Sequence, residues 1–254
     1  MKLNYFQTGA GPHLILLHGL FGSAGNFRTL ARQFGEYFTV SALDLRNHGA
    51  SPHDDDVSFD AMAADIIEFM DDHDIDQSAV MGHSLGGKVA MQIALNYPDR
   101  ISKLVIGDIA PVAYPHHHDR IFDGLNAVDL KAITSRREAE KTLADYVDIP
   151  AVRLFLLTNL VRTEDQSFAW RINIRALQDG YAHVAQRPSG VPFQGPSLFI
   201  RGELSDYIKE SYFPAIYELF PQAEIASLDG AGHWLHADKP QDYIEMVLNF
   251  LNKE

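Results

Sequence analysis

Cysteine is absent from this chain of 254 residues. Without a thiol there is no disulfide, no thiolate metal site and no cysteine nucleophile. Basic residues are also scarce: 34 Asp and Glu stand against 21 Lys and Arg, which gives a formal net charge of −13. This balance argues against an extended phosphate-binding surface, because such a surface needs clustered Lys and Arg. We therefore expect no nucleic-acid partner.

Long hydrophobic runs are missing as well. The apolar runs Leu14–Leu17 and Leu154–Leu157 are far too short to cross a bilayer. Residues Met1–Tyr5 do not begin a long apolar core followed by a small-residue cleavage site, as a secretory leader would. These absences, together with the lack of cysteine, predict no membrane span and a cytoplasmic location. The sequence carries no signal for the oligomeric state.

What the chain does contain is an ordinary globular composition, with 46% hydrophobic and 22% charged residues. Short apolar runs alternate with longer amphipathic stretches, which predicts an α/β fold with a mostly parallel, doubly wound sheet. The predicted strands are Leu3–Gln7, His13–Leu17, Thr39–Leu43, Ser78–Met81, Lys103–Gly107, Ser197–Arg201 and Ala223–Leu228. Helical periodicity covers Phe27–Tyr37, Phe59–Asp72, Leu85–Tyr97, Glu210–Phe220 and Gln241–Asn252. The active site of such a fold lies at the carboxyl ends of the strands.

One long segment, residues 111–196, interrupts this alternation. It contains no convincing strand, and helical patterns cover 135–147, 151–159 and 168–185. We therefore predict a core formed by residues 1–110 and 197–254, with residues 111–196 as a helical cap over the strand ends. Long insertions on a rigid scaffold commonly act as lids and binding surfaces, so we expect the cap to determine substrate choice.

The sharpest motif is Gly82-His83-Ser84-Leu85-Gly86, between a predicted strand and a predicted helix. A G-x-S-x-G sequence also occurs in unremarkable glycine-rich turns. In a strand-turn-helix context, however, it forms a strained turn that exposes the serine hydroxyl above the sheet. We therefore predict Ser84 to be a catalytic nucleophile.

Five stretches together resemble one family. They are His18–Gly22, Asp44–Ser51, Gly82–Gly86, Asp108–Val112 and Gly230–Trp234. The chain resembles a serine esterase of the α/β-hydrolase superfamily, within the small bacterial esterase group related to mitochondrial abhydrolase-domain esterases. The resemblance covers nearly the whole chain and implies the α/β-hydrolase fold with a helical cap insertion.

The general base is expected in the glycine-rich stretch Gly230–Trp234. His233 follows the last predicted strand, and the superfamily order places the serine before the histidine. Imidazole titrates near neutrality, as a base must. Among the other histidines, His83 adjoins the nucleophile and is expected to point elsewhere. The triplet His116–His118 lacks acids at metal-ligand spacing, so we predict no metal site.

The acid that orients this histidine has two candidates. Asp108 closes the strand after the nucleophile helix, and Asp206 follows the next strand. The superfamily usually places its acid three residues after the glycine of that later loop, but here this position is Ser205. The esterase group that the chain resembles places its Asp in the Asp-Ile-Ala-Pro stretch. Asp108 is therefore preferred, with Asp206 as the alternative acid.

The negative oxygen of a tetrahedral intermediate needs about two backbone N–H donors. We expect one from Leu85, the residue after the nucleophile, and the other from Leu20, with Phe21 as second choice. His18 is expected to hold this loop through hydrogen bonds. Asp44 and Arg46 are read as a structural ion pair or loop anchor.

The predicted activity is cleavage of a small-molecule carboxylic ester or acyl thioester through a Ser-His-Asp triad and an acyl-enzyme intermediate. No metal or organic cofactor is needed for this chemistry. Lactonase, carbon–carbon hydrolase and perhydrolase activities share the machinery and stay open, as does, less favoured, a non-catalytic ligand-binding role. Some apolar cap residues could line an acyl pocket, although most should bury the cap on the sheet: Phe122, Leu125, Phe155, Leu156, Leu160, Phe168 and Trp170.

Overall fold

The computed structural model describes residues 1–253. Its central element is a sheet of seven strands: β1 Tyr5–Thr8, β2 His13–Leu17, β3 Thr39–Leu43, β4 Ser78–His83, β5 Ile101–Gly107, β8 Ser197–Gly202 and β9 Ala223–Leu228. Their order in the sheet is β1-β3-β2-β4-β5-β8-β9. Only β1 runs antiparallel to its neighbour, and the other pairs are parallel. The predicted mostly parallel α/β fold is confirmed.

Helices cover both faces of this sheet. They are α1 Arg28–Phe34, α2 Phe59–Asp72, α3 Leu85–Asn96, α9 Phe213–Leu219, α10 Leu235–Asp238 and α11 Pro240–Leu251. Strand β2 shows how the two cores form: Leu14 and Leu16 belong to the apolar cluster that contains α1 and α11, whereas Ile15 and Leu17 belong to the cluster that contains α2 and α3. Successive side chains of a strand point to opposite faces, so a strand buried on both faces has a continuous apolar run.

Between β5 and β8 the chain forms five helices and a short hairpin. The helices are α4 Asp119–Ala127, α5 Arg136–Leu143, α6 Pro150–Leu157, α7 Ile174–Asp179 and α8 Tyr181–Val184, and the hairpin pairs β6 Leu160–Arg162 with β7 Phe168–Trp170. The division into a core and a cap at residues 111 and 196 stays a prediction, and this run of elements supports it.

The hairpin corrects two sequence predictions. The segment does contain strands, and residues 168–185 are not one helix. Phe168–Trp170 pairs with Leu160–Arg162, and three-residue strands are too short to show an alternating pattern. The Asn173 side chain then accepts a hydrogen bond from the Ala176 amide and starts α7, and Gly180 separates α7 from α8.

No helix within residues 1–253 is both long enough and apolar enough to span a membrane.

Candidate active site

The turn between β4 and α3 holds Ser84 in a conformation that few residues adopt. Its φ is 53° and its ψ is −117°, so the backbone is strained. Glycine is required on both sides. A Cβ on Gly82 would lie 2.1 Å from the Gly86 carbonyl oxygen, and one on Gly86 would lie 2.1 Å from the Leu17 carbonyl oxygen. This close packing fixes the serine at the carboxyl end of the sheet.

Ser84 and His233 line the same cavity, although they are far apart along the chain. The cavity has a volume of about 510 Å³. Val152 and Phe155, from the segment between β5 and β8, form part of its wall. Within residues 1–253 the Ser84 hydroxyl has no hydrogen-bond partner, and catalytic hydrogen bonds often tighten only in the complex with substrate.

The His233 ring is bonded to Asp108. Its Nδ1 donates to Asp108 Oδ2 over 2.7 Å, which leaves Nε2 available to act as a base. Asp108 is completely buried, and its other oxygen, Oδ1, accepts a hydrogen bond from the Gly202 amide over 3.0 Å. The Ser205 hydroxyl also donates to Asp108 Oδ2. Asp108 thus satisfies the geometric requirement for the orienting acid.

The alternative acid lies elsewhere. The Asp206 side chain is 92% exposed and pairs with Lys209 Nζ at 3.3 Å. A solvated surface pair of this kind contributes little energy and cannot orient an imidazole.

Two backbone amides near Ser84 are not engaged in hydrogen bonds within the described residues. Within the described residues, the N–H groups of Leu20 and Leu85 have no hydrogen-bond partner, and Leu85 is the first residue of α3. Phe21, the second choice, donates its N–H to His48 Nε2 over 3.3 Å, so this amide is already engaged. The free amides therefore favour Leu20 over Phe21 as the second donor.

The loop before Leu20 is held by His18, as the sequence suggested. The Leu45 amide donates to His18 Nε2 over 3.0 Å, and His18 Nδ1 donates to the Gly19 carbonyl over 2.8 Å. Burial lowers the pKa of His18 below its ordinary value, so the ring is held neutral and can serve as both donor and acceptor.

Asp44 and Arg46 are structural. Arg46 Nε lies 2.6 Å from Asp65 Oδ2 on α2 in a buried ion pair. The Asp44 carboxylate accepts hydrogen bonds from the amides of Ala24 at 2.7 Å and Ala50 at 2.8 Å. Both side chains therefore anchor loops around the site.

Several residues around His233 were missed by the sequence analysis. Tyr207 stacks on the His233 ring, with centroids 4.0 Å apart and planes inclined by 22°. His83 Nε2 donates to the His233 carbonyl over 2.7 Å. Neither contact had a signal in the sequence. The bond from Ser205 to Asp108 did have one, because Ser205 occupies the position where the superfamily usually carries its acid.

Two buried imidazoles near His233, those of His83 and His118, stay uncharged near neutral pH. Burial, with His233 and His236 nearby, lowers the pKa of His83 well below its ordinary value, and burial lowers the pKa of His118 to about 3. Neutral neighbours do not oppose the positive charge that His233 would take up as a base.

The triplet His116–His118 makes hydrogen bonds to tyrosines. His117 Nε2 bonds to the Tyr207 hydroxyl over 2.7 Å, and His118 bonds to the Tyr181 hydroxyl.

The expected acyl-pocket residues separate into two groups. Phe155 and Leu156 line the cavity. The side chains of Phe122, Leu125, Leu160 and Phe168 are buried in the apolar core, and Trp170 packs against it. Most of these residues therefore pack the segment between β5 and β8 against the apolar core.

Comparison with known proteins decides the family. Residues 12–240 match the family model described as the alpha/beta hydrolase fold. The chain belongs to this family. It is 38% identical to esterase YbfF of Escherichia coli, over 99% of this chain and 100% of that protein. It is 39% identical to the sn-1-specific diacylglycerol lipase ABHD11 of Xenopus tropicalis, over 97% of this chain and 80% of the relative.

A solved structure of a marine microorganism esterase superposes with a TM-score of 0.96, at 39% identity, and covers 98% of this chain and 99% of that one. The fold, the family and the class of carboxylic-ester hydrolase predicted from the sequence are confirmed.

Proposed function

We propose that this α/β hydrolase cleaves carboxylic esters or acyl thioesters with Ser84 as nucleophile, His233 as general base and Asp108 as orienting acid. The observation that carries the proposal is the bond from His233 Nδ1 to the buried Asp108, on an imidazole that shares a cavity with Ser84. The names of the relatives, esterase and diacylglycerol lipase, belong to the same reaction class.

In the first half-reaction, Ser84 Oγ forms a bond to the acyl carbon while His233 Nε2 takes the hydroxyl proton. The Leu20 and Leu85 amides donate to the oxyanion. The carbon–oxygen or carbon–sulfur bond to the leaving group then breaks, and His233 returns the proton to the leaving alcohol or thiol. Asp108 stabilises the imidazolium through Nδ1.

In the second half-reaction, His233 removes a proton from water, which attacks the acyl carbon. The bond to Ser84 Oγ breaks and the serine regains its proton, so the carboxylic acid is released and the enzyme is restored. None of these steps draws on a metal or an organic cofactor.

A fluorophosphonate probe tests the nucleophile, since it reacts covalently with activated serines. The test compares the wild type with Ser84→Ala and with Ser227→Ala, in which an exposed serine of β9 is replaced. We expect labelling of the wild type and of Ser227→Ala, and none of Ser84→Ala. Turnover of acyl ester and thioester panels should fall by about 10³-fold or more in Ser84→Ala alone. Labelling that persists in Ser84→Ala would overturn the proposal.

A further inference from the structure

Two cavities of very different size meet at Ser84. The large cavity of about 510 Å³ is the one that His233 lines. A small pocket of about 40 Å³ shares Leu20, Ser84 and His118 with it. The remaining walls of the small pocket are Leu85, Lys88, Ile109, Tyr114, His117, Tyr181, Val184, Ala185 and Tyr207. An ester likewise has two arms, the acyl chain and the alkoxy group of the alcohol, which meet at the carbon attacked by the serine. Each arm therefore needs a cavity to occupy.

The position of His233 decides which arm occupies which cavity. The leaving oxygen must come within hydrogen-bond distance of the imidazole that protonates it. His233 lines the large cavity and not the small pocket. Tyr207 covers one face of the imidazole and forms a wall of the small pocket. The leaving group therefore extends into the large cavity, and the acyl chain is left with the small pocket.

Two wall residues of the small pocket are held by hydrogen bonds. The Tyr114 hydroxyl accepts a hydrogen bond from the Ala110 amide over 2.9 Å and donates to the Tyr207 carbonyl. Lys88 Nζ donates to the carbonyls of Val112 over 3.0 Å and Ala185 over 3.1 Å. These bonds connect Tyr114 and Lys88 to residues before α4 and after α8, so displacing either side chain to widen the pocket would break hydrogen bonds that are buried or partly buried.

The volumes translate into chain lengths. A cavity needs roughly 10–15 Å³ to hold one water-sized group. The small pocket, at about 40 Å³, therefore accepts about three non-hydrogen atoms beyond the carbonyl. The large cavity lies in the range of sites that enclose whole drug-sized molecules, and its walls include Phe27, Leu30, Val152, Phe155, Trp234 and Ile244.

We propose that the preferred substrates are esters of short acyl groups, from acetyl to butanoyl, with long or bulky apolar alcohols. This inference rests on the proposed function and adds the direction in which the substrate lies. The size limit falls on the acid and not on the alcohol.

Two isomeric esters test the direction. Hexyl acetate and ethyl hexanoate have the same atoms and differ only in which arm is long. We expect kcat/KM for hexyl acetate to be higher by about 10-fold or more, because an acyl chain of six carbons exceeds the small pocket. Probe labelling is measured on a separate sample. If the fluorophosphonate probe labels Ser84, a ratio of kcat/KM for hexyl acetate to that for ethyl hexanoate of one or below, or no turnover of either ester, would overturn this inference alone. Absence of both labelling and turnover would overturn the proposed function and this inference with it.

A matched pair of valines locates the limit. Val184 lines the small pocket and Val152 lines the large cavity, and both lie in the cap segment. With ethyl esters of increasing acyl length, kcat/KM of the wild type should fall beyond butanoate. Val184→Ala should extend the accepted length by one or two carbons and raise kcat/KM for hexanoate several-fold, whereas Val152→Ala should leave the acyl profile unchanged. A profile that shifts in Val152→Ala and not in Val184→Ala would contradict the assignment of the two arms.

Discussion

At the residue scale, burial and bonding distinguish the two aspartates that the sequence offered as the orienting acid. Asp108 is completely buried and bonded to His233, whereas Asp206 is exposed beside Lys209. A buried carboxylate with its oxygens satisfied by Gly202, Ser205 and His233 has one orientation. An exposed one samples many, so only Asp108 can fix the histidine tautomer.

Asparagine substitutions test this choice. Asp108→Asn keeps the size of the side chain and removes the charge that steadies the imidazolium, so we expect kcat to fall by roughly 10³- to 10⁴-fold. Asp206→Asn should leave kcat within about twofold. Steady-state kinetics on a short-chain ester give both values, and a large loss confined to Asp206→Asn would refute the assignment.

Ser205 should act as a positioning residue through Asp108. Its hydroxyl donates to Asp108 Oδ2 and accepts the Tyr207 amide at 3.2 Å. We expect Ser205→Ala to lower kcat about 10-fold, with KM little changed, because the carboxylate loses a donor. Ser205→Thr retains a hydroxyl and should recover most of the activity. The neighbouring exposed Leu204 supplies the control Leu204→Ala, and equal losses in this control and in Ser205→Ala would contradict the role.

At the element scale, the site depends on how closely α3 approaches β2. Gly86, in the first turn of α3, lies against the Leu17 carbonyl at the end of β2. In the proposed reaction, the positive end of the helix would stabilise the oxyanion that forms beside Ser84. A side chain on Gly86 would force the helix away from the strand, because the clashing atoms belong to the backbone.

Gly86→Ala should therefore destabilise the fold. Its Cβ would lie 2.1 Å from the Leu17 carbonyl oxygen, and we expect a loss of about 3 kcal/mol or more. For a chain of this size, that lowers Tm by roughly 6–12 °C. Gly25→Ala is the control, since its Cβ would meet only the Ser23 hydroxyl at 3.3 Å. Thermal unfolding followed by circular dichroism distinguishes them, and equal Tm values would rule out the predicted clash.

At the scale of the whole molecule, buried neutral histidines couple stability to pH. Burial lowers the pKa of His18, His48, His83, His118 and His236, to about 3 for His48 and His118 and to about 4 for His236. The unfolded chain binds protons near pH 6.5, whereas the folded chain does so only at lower pH. The free energy of unfolding therefore falls as the pH drops from about 6.5 toward 3.

His118→Gln isolates one part of this dependence. Between pH 6.5 and 5, a histidine that stays neutral in the folded state costs about 2 kcal/mol of stability. We expect urea unfolding of the wild type to give a lower free energy of unfolding at pH 5 than at pH 7.5. In His118→Gln the difference should shrink by about that amount. An unchanged difference would mean that His118 titrates normally in the folded protein.

The sequence predicts well the features that depend on interactions local in the chain, and poorly those that depend on contacts between distant segments. The strands, the nucleophile turn and the helix after it depend on local sterics and periodicity, and they were read to within a few residues. The hairpin of β6 and β7 was missed because it is stabilised by pairing between two three-residue segments, and neither carries a pattern of its own. The stacking of Tyr207 on His233 joins two loops with no common motif.

By itself, then, the sequence determined the α/β fold and the placing of Ser84 in its glycine-flanked turn, because these depend on backbone sterics and on the alternation of apolar residues. The family followed from the resemblance of short motifs and not from these patterns. Only the tertiary structure decided which carboxylate meets the imidazole and how large the two cavities at the serine are. The pairing of β5 with β8 brings the buried Asp108 beside Gly202 and Ser205. The cavity walls come from segments that only folding brings together.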